Sequence, residues 1–291
     1  MERRSCARLL AAALSVAGCS VDRRVAIIQD NQIDAGGQEP AVQSDVAAAG
    51  PDVAAGPRFG KLLPGQPLPS DAMCAARVRR SSWEPRPDNG PHNQQVPTAA
   101  QLAQIPPWDS KVGFDNLAVA FGKRVNGDFV GTTDEILQWG ACKWGFDEDF
   151  VRAYAQQASN WRQTLISNWT TNTANCPQGA ATRSADGGTE CAEVYGIFQI
   201  MWQFTKSAWP MSRDSTAFNV DYSLGTRRAC FEGWLPWLKN NAPAGQPYGA
   251  GDEFGCLGAD YSGNWYDKFA NDYITAVRTK LDVKSWTHPD F

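Results

Sequence analysis

The chain has 291 residues, of which 43% are hydrophobic, enough to bury the core of one sizeable domain. Its net charge is −4 at pH 7, which does not favour a polyanion partner, so we expect no nucleic acid to bind. Only two histidines occur, His92 and His288, and both stand outside any cysteine pattern. The sequence therefore predicts no metal site and no cofactor. No apolar run reaches the roughly 18 residues that a membrane-spanning helix needs.

The first residues have the layout of an export signal. Arg3, Arg4 and Arg8 precede a short apolar run from Leu9 to Ala17. The run ends in Val-Ala-Gly-Cys19, which resembles the lipobox of bacterial lipoproteins, where cleavage leaves the cysteine lipidated. We expect residues 1–18 to be a signal peptide and the mature protein to be an exported lipoprotein of the bacterial cell envelope. An ordinary signal peptide followed by an incidental cysteine is the alternative.

Three further regions follow the signal. Residues 19–57 contain no aromatic residue and are rich in Ala, Gly, Asp, Gln and Pro. Such a segment buries too little apolar surface to offset its ordering entropy, so we expect a disordered tether. Residues 58–129 are dominated by proline and polar residues and are expected to form an irregular extension packed on the main domain. Residues 130–291 are expected to be that domain.

Two consecutive helices have clear boundary signals. Thr132 and Glu135 have the spacing of a capping box, and the helix that they start should end at Gly145. Asp147 is placed to cap the next helix, which we expect to end near Ala158. Its apolar residues recur at helical spacing, so one face should be buried: Phe150, Val151, Tyr154, Ala155 and Ala158.

Other elements have weaker signals. Asn126-Gly127 between apolar flanks predicts a β-hairpin. The polar stretch 169–191 shows no periodicity and is expected to be a long surface loop. Helices are predicted over Met201–Trp209, over residues 222–239 with a break near Gly233 and Pro236, and over Tyr266–Leu281.

Two short motifs have a known counterpart. The first is Ala158-Ser159-Asn160-Trp161, at the end of the predicted buried helix, and the second is Tyr-Gly-Ile-Phe-Gln-Ile at residues 195–200. Their combination closely resembles the lysozyme-like superfamily, which includes c-type lysozymes and bacterial soluble lytic transglycosylases. The resemblance covers roughly residues 130–285. It implies a mainly α, lysozyme-like fold, a helical domain with a small hairpin or loop lobe, and a cleft for β-1,4-linked N-acetylated glycan such as peptidoglycan.

The catalytic position of that superfamily is altered here. The family's general-acid glutamate stands where this chain has Ala158, and the aspartate of c-type lysozymes corresponds to Val194. A protein that binds glycan but has lost cleavage, naturally or by deliberate inactivation, is one interpretation. An active enzyme with a relocated acid, Glu193 or the weaker candidate Glu190, is another. A polysaccharide lyase with Tyr154 or Tyr195 as base is a third.

Further site residues are expected around the motifs. Trp161, Tyr195 and Trp202 stand next to the motifs and offer aromatic rings for sugar stacking, and Gln199 is the polar residue expected to face the cleft. Ser159, of the first motif, is a further candidate for substrate binding. The stretch Ala259–Gly263 resembles the Ala-Tyr-Asn-Ala-Gly turn of transglycosylases, which implies a site role for Tyr261. We expect a monomer that contacts the membrane only through its lipid.

Six cysteines follow Cys19, and an even number in an exported chain indicates disulfides. Proximity in the sequence favours Cys176–Cys191 and Cys230–Cys256. That choice leaves Cys74 to pair with Cys142.

Overall fold

The computed structural model describes residues 58–103, 122–185, 187–288 and 290–291. The predicted signal peptide, the predicted lipidation site Cys19 and the predicted tether lie outside these residues. The described part is mainly α, as predicted, with one small antiparallel sheet. Among the helices of this part, none is both long enough and apolar enough to span a membrane.

The helices of the described residues are α1 (Asp71–Arg77), α2 (Gly90–Asn93), α3 (Ala99–Ala103), α4 (Thr133–Trp144), α5 (Glu148–Ser159), α6 (Met211–Asp214), α7 (Thr216–Phe231), α8 (Glu253–Ser262) and α9 (Lys268–Val283). The strands are β1 (Ile166–Thr170), β2 (Thr182–Ala185), β3 (Gly188–Tyr195) and β4 (Ile200–Met201). Helix α4 packs against α5 and α7, and α9 packs against α5 and α8. The core therefore lies between α4, α5, α7, α8 and α9.

The boundary signals of α4 and α5 are confirmed. Thr132 and Glu135 form the capping box at the start of α4, and Gly145 ends the helix in the left-handed conformation at φ 65°. Asp147 caps α5 by accepting hydrogen bonds from the amides of Asp149 and Phe150. Every residue of α4 is buried, so this helix is the central element of the core.

A buried ion pair joins α4 to α7. Lys143 is fully buried, and its Nζ donates to Asp221 Oδ2 at 2.8 Å, to Asp71 Oδ2 at 2.9 Å and to Asn126 Oδ1 at 3.0 Å. Trp144 Nε1 donates to the other carboxylate oxygen of Asp221 at 2.7 Å. Because a buried charge is tolerated only when it is paired and hydrogen-bonded, these bonds fix the position of both helices.

The hairpin predicted at Asn126-Gly127 is wrong. Gly127 has the positive φ of 59° expected in a turn, but residues 124–130 form no strand. The amides of Asn126 and Gly127 donate to Asp221 Oδ2 at 2.8 and 2.9 Å. The buried Asp221 carboxylate of α7 thus accepts the amide hydrogen bonds that a partner strand would accept in a hairpin.

The surface loop predicted for residues 169–191 is wrong in part, because 10 of these 23 residues lie in strands β1, β2 and β3. Strands β1, β3 and β2 lie in that order, all antiparallel, and β4 pairs with β3. Tyr195 at the end of β3 is opposite Ile166 of β1 and Ile200 of β4. All of β2 is exposed and β1 is half-buried. Neither strand therefore has the alternation of buried and exposed residues that allows a strand to be predicted from sequence.

The later helical predictions were correct in kind for two segments and wrong for one. Helix α7 begins at Thr216, before the predicted start, and ends at Phe231 just before Gly233. Helix α9 runs two residues beyond the predicted end. The helix predicted over Met201–Trp209 does not form. The Trp202 amide instead donates to Glu193 O at 2.9 Å and extends the pairing with β3.

Three disulfides confirm the predicted pairing. Their Cα–Cα distances are 5.6, 6.2 and 5.7 Å for Cys74–Cys142, Cys176–Cys191 and Cys230–Cys256. The first joins the extension to α4, the second closes the loop between β1 and β3, and the third joins α7 to α8.

We predict that Asp221→Asn lowers the free energy of unfolding by about 3 kcal/mol, because it leaves the buried Lys143 without its buried counter-charge. Urea denaturation measures this loss. Asp272→Asn is the matched control, since Asp272 pairs with Lys268 while their side chains are 63% and 80% exposed. It should cost less than about 0.5 kcal/mol. Equal losses for the two variants would contradict the role given to the Lys143–Asp221 pair.

Candidate functional site

The second sequence motif forms the tight connection between β3 and β4. We refer to Gly196–Gln199 as the central turn. The Ile197 amide donates to Gln163 Oε1 at 3.0 Å, and the Phe198 amide donates to Asn219 Oδ1 at 3.0 Å. Ile197 O accepts from Ser159 Oγ at 2.7 Å. Side chains from the end of α5, from the segment after it and from α7 therefore hold this turn.

Asn219 of α7 also determines which residue can stand at position 196. Its Nδ2 donates to Tyr195 O at 3.1 Å and to Ser212 O at 2.7 Å. Gly196 has φ 84°, and a Cβ at this position would lie 2.1 Å from Asn219 Nδ2 and 2.7 Å from Ser212 O. Both the backbone conformation and the lack of space require glycine here.

Gln199 satisfies its side-chain amide within the protein. Its Nε2 donates to Gly196 O at 2.8 Å and to Leu165 O at 3.2 Å, and its Oε1 accepts from Ser167 Oγ at 2.5 Å. The side chain is half-buried. Gln199 therefore fixes the turn against β1 and presents only part of its surface to a ligand.

The first motif lies where α5 becomes accessible. Residues 148–156 of the helix are buried, whereas Gln157 and Ala158 are half-buried. Asn160 and Trp161 then have φ values of 52° and 64°. With Asn168 and Gln199, they make four of the six non-glycine residues of positive φ in the described chain. Strained backbone of this kind concentrates at functional sites, so both motifs are marked by it.

A polar cluster lies one helical turn before Ala158 on the same face of α5. The ring of Tyr154 stacks on Phe198 of the central turn with centroids 4.1 Å apart. The Tyr154 hydroxyl contacts Phe198 O at 3.4 Å, Ser223 Oγ at 3.3 Å and Asp260 Oδ2 at 3.4 Å. This cluster connects the face of α5 that carries Ala158 with α7 and α8.

Arg227 and Asp260 complete the cluster, and the sequence reasoning missed both. The Arg227 guanidinium lies 3.8 Å from the centroid of the Tyr154 ring, and its Nη2 donates to Asp260 Oδ2 at 2.8 Å. Arg227 is fully buried, whereas the Asp260 side chain is 42% exposed. Asp260 is therefore a carboxylate that reaches the surface of this region. The sequence feature that could have identified Asp260 is its place in the Ala259–Gly263 stretch, directly before Tyr261.

The two tyrosines considered as catalytic bases are poorly suited to that task. Burial raises the pKa of Tyr154 to about 12, and burial also raises the pKa of Tyr195. A phenol with such a pKa keeps its proton near neutral pH. The arrangement therefore does not favour β-elimination with either residue as base.

The two alternative acids differ in their surroundings. Glu190 Oε2 pairs with Arg183 Nε at 2.7 Å, so its carboxylate is already engaged. Burial raises the pKa of Glu193, and a hydrogen bond with Asn175 partly offsets this rise. A raised carboxyl pKa is what a general acid requires. Glu193 is thus the better candidate for a relocated acid.

Three of the expected substrate-binding residues are buried, and this corrects their predicted role. Trp161 and Tyr195 are 0% exposed, and Ser159 is 5% exposed. The Trp161 ring packs edge-on against Trp83, and the Tyr195 ring packs against Trp209. Their rings belong to the core and offer no face to a sugar. Ser159 instead positions the central turn.

Trp202 and Tyr261 are the expected aromatic residues that keep some surface. Trp202 lies directly after β4 with Lys206 Nζ 5.0 Å from the centroid of its ring. Tyr261 stacks on Tyr273 with centroids 4.2 Å apart. Trp202, at the edge of the sheet, is therefore the better placed of the two for stacking on a sugar.

In the part of the chain that the structure describes, no three His, Cys, Asp or Glu side chains gather in a way that could hold a metal ion. Neither a family model nor a curated protein nor a solved structure matches this chain. A function must therefore be argued from the chemistry of the residues themselves.

We predict that Gly196→Ala lowers the free energy of unfolding by about 3 kcal/mol, because the new methyl group would overlap Asn219 and Ser212. Thermal and urea unfolding measure the loss. Gly179→Ala is the control, since Gly179 has a similar φ of 76° and open space around its Cβ position. It should cost only the strain of the left-handed backbone, about 1 kcal/mol. If the two variants lose the same stability, the close packing of the central turn is not the cause.

Proposed function

We propose that this protein binds β-1,4-linked N-acetylated glycan such as peptidoglycan, in a lysozyme-like cleft beside the end of α5 and the central turn. Its cleavage of that glycan is weak or lost, because Ala158 occupies the general-acid position. The observation that carries the proposal is the half-buried Ala158 on a helix that is buried through Gln156. A longer side chain at this position would reach an accessible surface beside a rigid turn.

The missing group explains why binding is favoured over catalysis. Glycoside cleavage needs one protonated carboxyl group at the scissile oxygen, and alanine has no proton to donate. Asp260 is occupied by Arg227, and Glu190 is occupied by Arg183. Two features remain that suit recognition of a sugar chain. Trp202 offers an aromatic ring at the sheet edge, and both motifs contain non-glycine residues of positive φ.

The proposal also includes a location for the protein, the bacterial cell envelope. An acidic protein gains no electrostatic steering toward an anionic cell wall. Attachment through a lipid on Cys19, which lies outside the described residues, would instead keep the domain at the bacterial cell envelope. A tethered glycan-binding role is consistent with both the charge and the N-terminal pattern.

We predict that Ala158→Glu raises cleavage of purified peptidoglycan by about 10²–10⁴-fold, because a positioned acid typically contributes that factor. Muropeptide chromatography measures the products, and new anhydro or reducing ends distinguish transglycosylase from hydrolase chemistry. Ala158→Gln is the matched control, since it adds the same volume without an acidic proton, and it should stay at the parental rate.

Two results would count against this proposal. One is a folded Ala158→Glu variant that gains no activity while the parent fails to bind chitotetraose. The other is an Ala158→Glu variant that loses several kcal/mol of stability, as expected for a carboxyl group placed in a dry core.

An active enzyme that uses Glu193 is the second candidate, favoured by the raised pKa of that carboxyl group. It predicts that the parent cleaves peptidoglycan and that Glu193→Gln abolishes the activity, whereas Glu190→Gln does not. A raised pKa keeps the acid protonated to higher pH, so the rate should decline as pH rises through it. A pH–rate profile of the parent and both variants separates this candidate from the first.

A further inference from the structure

The side chains of Lys143 and Asn126 meet in the core, and the proposed function uses neither of them. The Lys143 side chain is 0% exposed, and its Nζ lies 3.0 Å from Asn126 Oδ1. The rings of Trp139 and Trp144 lie close to the amine, with their centroids 4.6 and 5.9 Å from Nζ. A lysine amine held beside a carboxamide in a site screened from water has the two groups that a new amide bond requires.

Asp71 of α1 connects the amine to the carboxamide. Its Oδ2 accepts from Lys143 Nζ at 2.9 Å and from Asn126 Nδ2 at 2.7 Å. The same carboxylate oxygen can therefore take a proton from the attacking nitrogen and pass it to the leaving nitrogen. The Asp71 side chain is 29% exposed, and its Oδ1 lies 3.7 Å from Arg124 Nη2. Asn126 is half-buried, so a released nitrogen has a short way to solvent.

The Asn126 carboxamide is held in position for attack. Asp221 Oδ2 accepts from the Asn126 amide and from Lys143 Nζ, both at 2.8 Å, and so it fixes the two reacting residues. The Asp128 amide donates to Asn126 Oδ1 at 3.0 Å. A backbone N–H at a carbonyl oxygen stabilises the negative charge that develops there when a nucleophile attacks the carbon. The site thus contains a nucleophile, an electrophile, a proton carrier and an oxyanion donor.

We propose that Lys143 and Asn126 form an intramolecular isopeptide bond, with Asp71 as the proton carrier. A bond forms between Lys143 Nζ and Asn126 Cγ, and the bond between Cγ and Nδ2 breaks. Of the three protons on the lysine ammonium group, one stays on the new amide nitrogen and two pass by way of Asp71 to Nδ2. Nδ2 leaves as ammonium, so atoms and charge balance without a cofactor or an oxidant.

The reaction is one that a chain needs to perform only once. Asp71 and Asp221 stabilise the charged form of the Lys143 amine, and this slows the attack because only the neutral amine is a nucleophile. A single turnover per chain tolerates a slow rate. The bond would join α4 covalently to the segment before it, next to the disulfide that joins Cys142 to Cys74 of α1. This inference does not depend on the proposed glycan function.

Mass spectrometry of the folded full chain tests the proposal. The intact mass should lie one ammonia below the mass calculated from the mature, disulfide-bonded sequence. After reduction and proteolysis, the peptides that contain Asn126 and Lys143 should remain joined. Asp71→Asn should slow the joining after refolding by about 10²-fold or more, because it removes the proton carrier. Near-ultraviolet circular dichroism checks that this variant folds.

Asp128→Asn is the matched control for the loss of one negative charge. Asp128 is exposed and contributes only its backbone amide to the site, so this variant should join the two peptides at the parental rate. Lys143→Arg keeps the positive charge without an amine that can attack, and its mass should equal the calculated one.

Three results would count against the proposal. A parent with the full calculated mass and separate peptides would overturn it and leave a buried ion pair that does not react. Asn126-Gly127 can also lose ammonia by closing to a succinimide, which links no second peptide, so a loss of mass without joined peptides would overturn it as well. Joining at the parental rate in Asp71→Asn would overturn the role of Asp71. None of these results bears on glycan binding, which the titration with chitotetraose decides.

Discussion

The hydrogen bonding of the central turn is the constraint on which the rest of the site depends. A buried backbone amide or carbonyl must find a partner, and here those partners are side chains of distant segments. Ser159, Gln163 and Asn219 bond the turn from three directions. The sheet is thereby fixed against α5 and α7. Gly196 is required because Asn219 occupies the space that a side chain would need.

This rigid frame contrasts with the chemistry that it presents. The end of α5 and the central turn are held in place, yet Ala158 contributes no functional group. Behind it, the hydroxyl of Tyr154 and the guanidinium of Arg227 both contact Asp260. The site therefore has defined geometry and polar surface without the acid that cleavage requires. For this reason we propose recognition of a sugar chain rather than its cleavage.

The sequence predicted those features that local interactions determine. The predictions of the capping box and of Gly145 as the helix end were correct because the residues involved are close in the sequence. The disulfides were predicted correctly because the chain has few cysteines. The hairpin at Asn126-Gly127 failed because Asp221, 95 residues from Asn126, takes the amides of the turn. The exposed strand β2 carries no apolar alternation.

For the site, the two motifs were found from the sequence, but the roles of their residues were less predictable. Trp161 was expected to stack on a sugar and is buried instead, because tertiary packing decides which side of a chain turn faces solvent. Asp260 was missed although it stands directly before Tyr261, because the sequence does not show which residue its carboxylate contacts. Its position is set by the buried Arg227, which lies on another helix.

The most direct measurement for this account is the amide spectrum of the isotope-labelled protein during titration with chitotetraose. If the cleft lies where we propose, the amide signals of Ser159, of the central turn and of Trp202 should shift together with one dissociation constant. The amide signals of the first turn of α4, next to the capping residue Thr132, should not shift. Saturable shifts confined to other surfaces, or no shifts at all, would contradict the proposed glycan cleft.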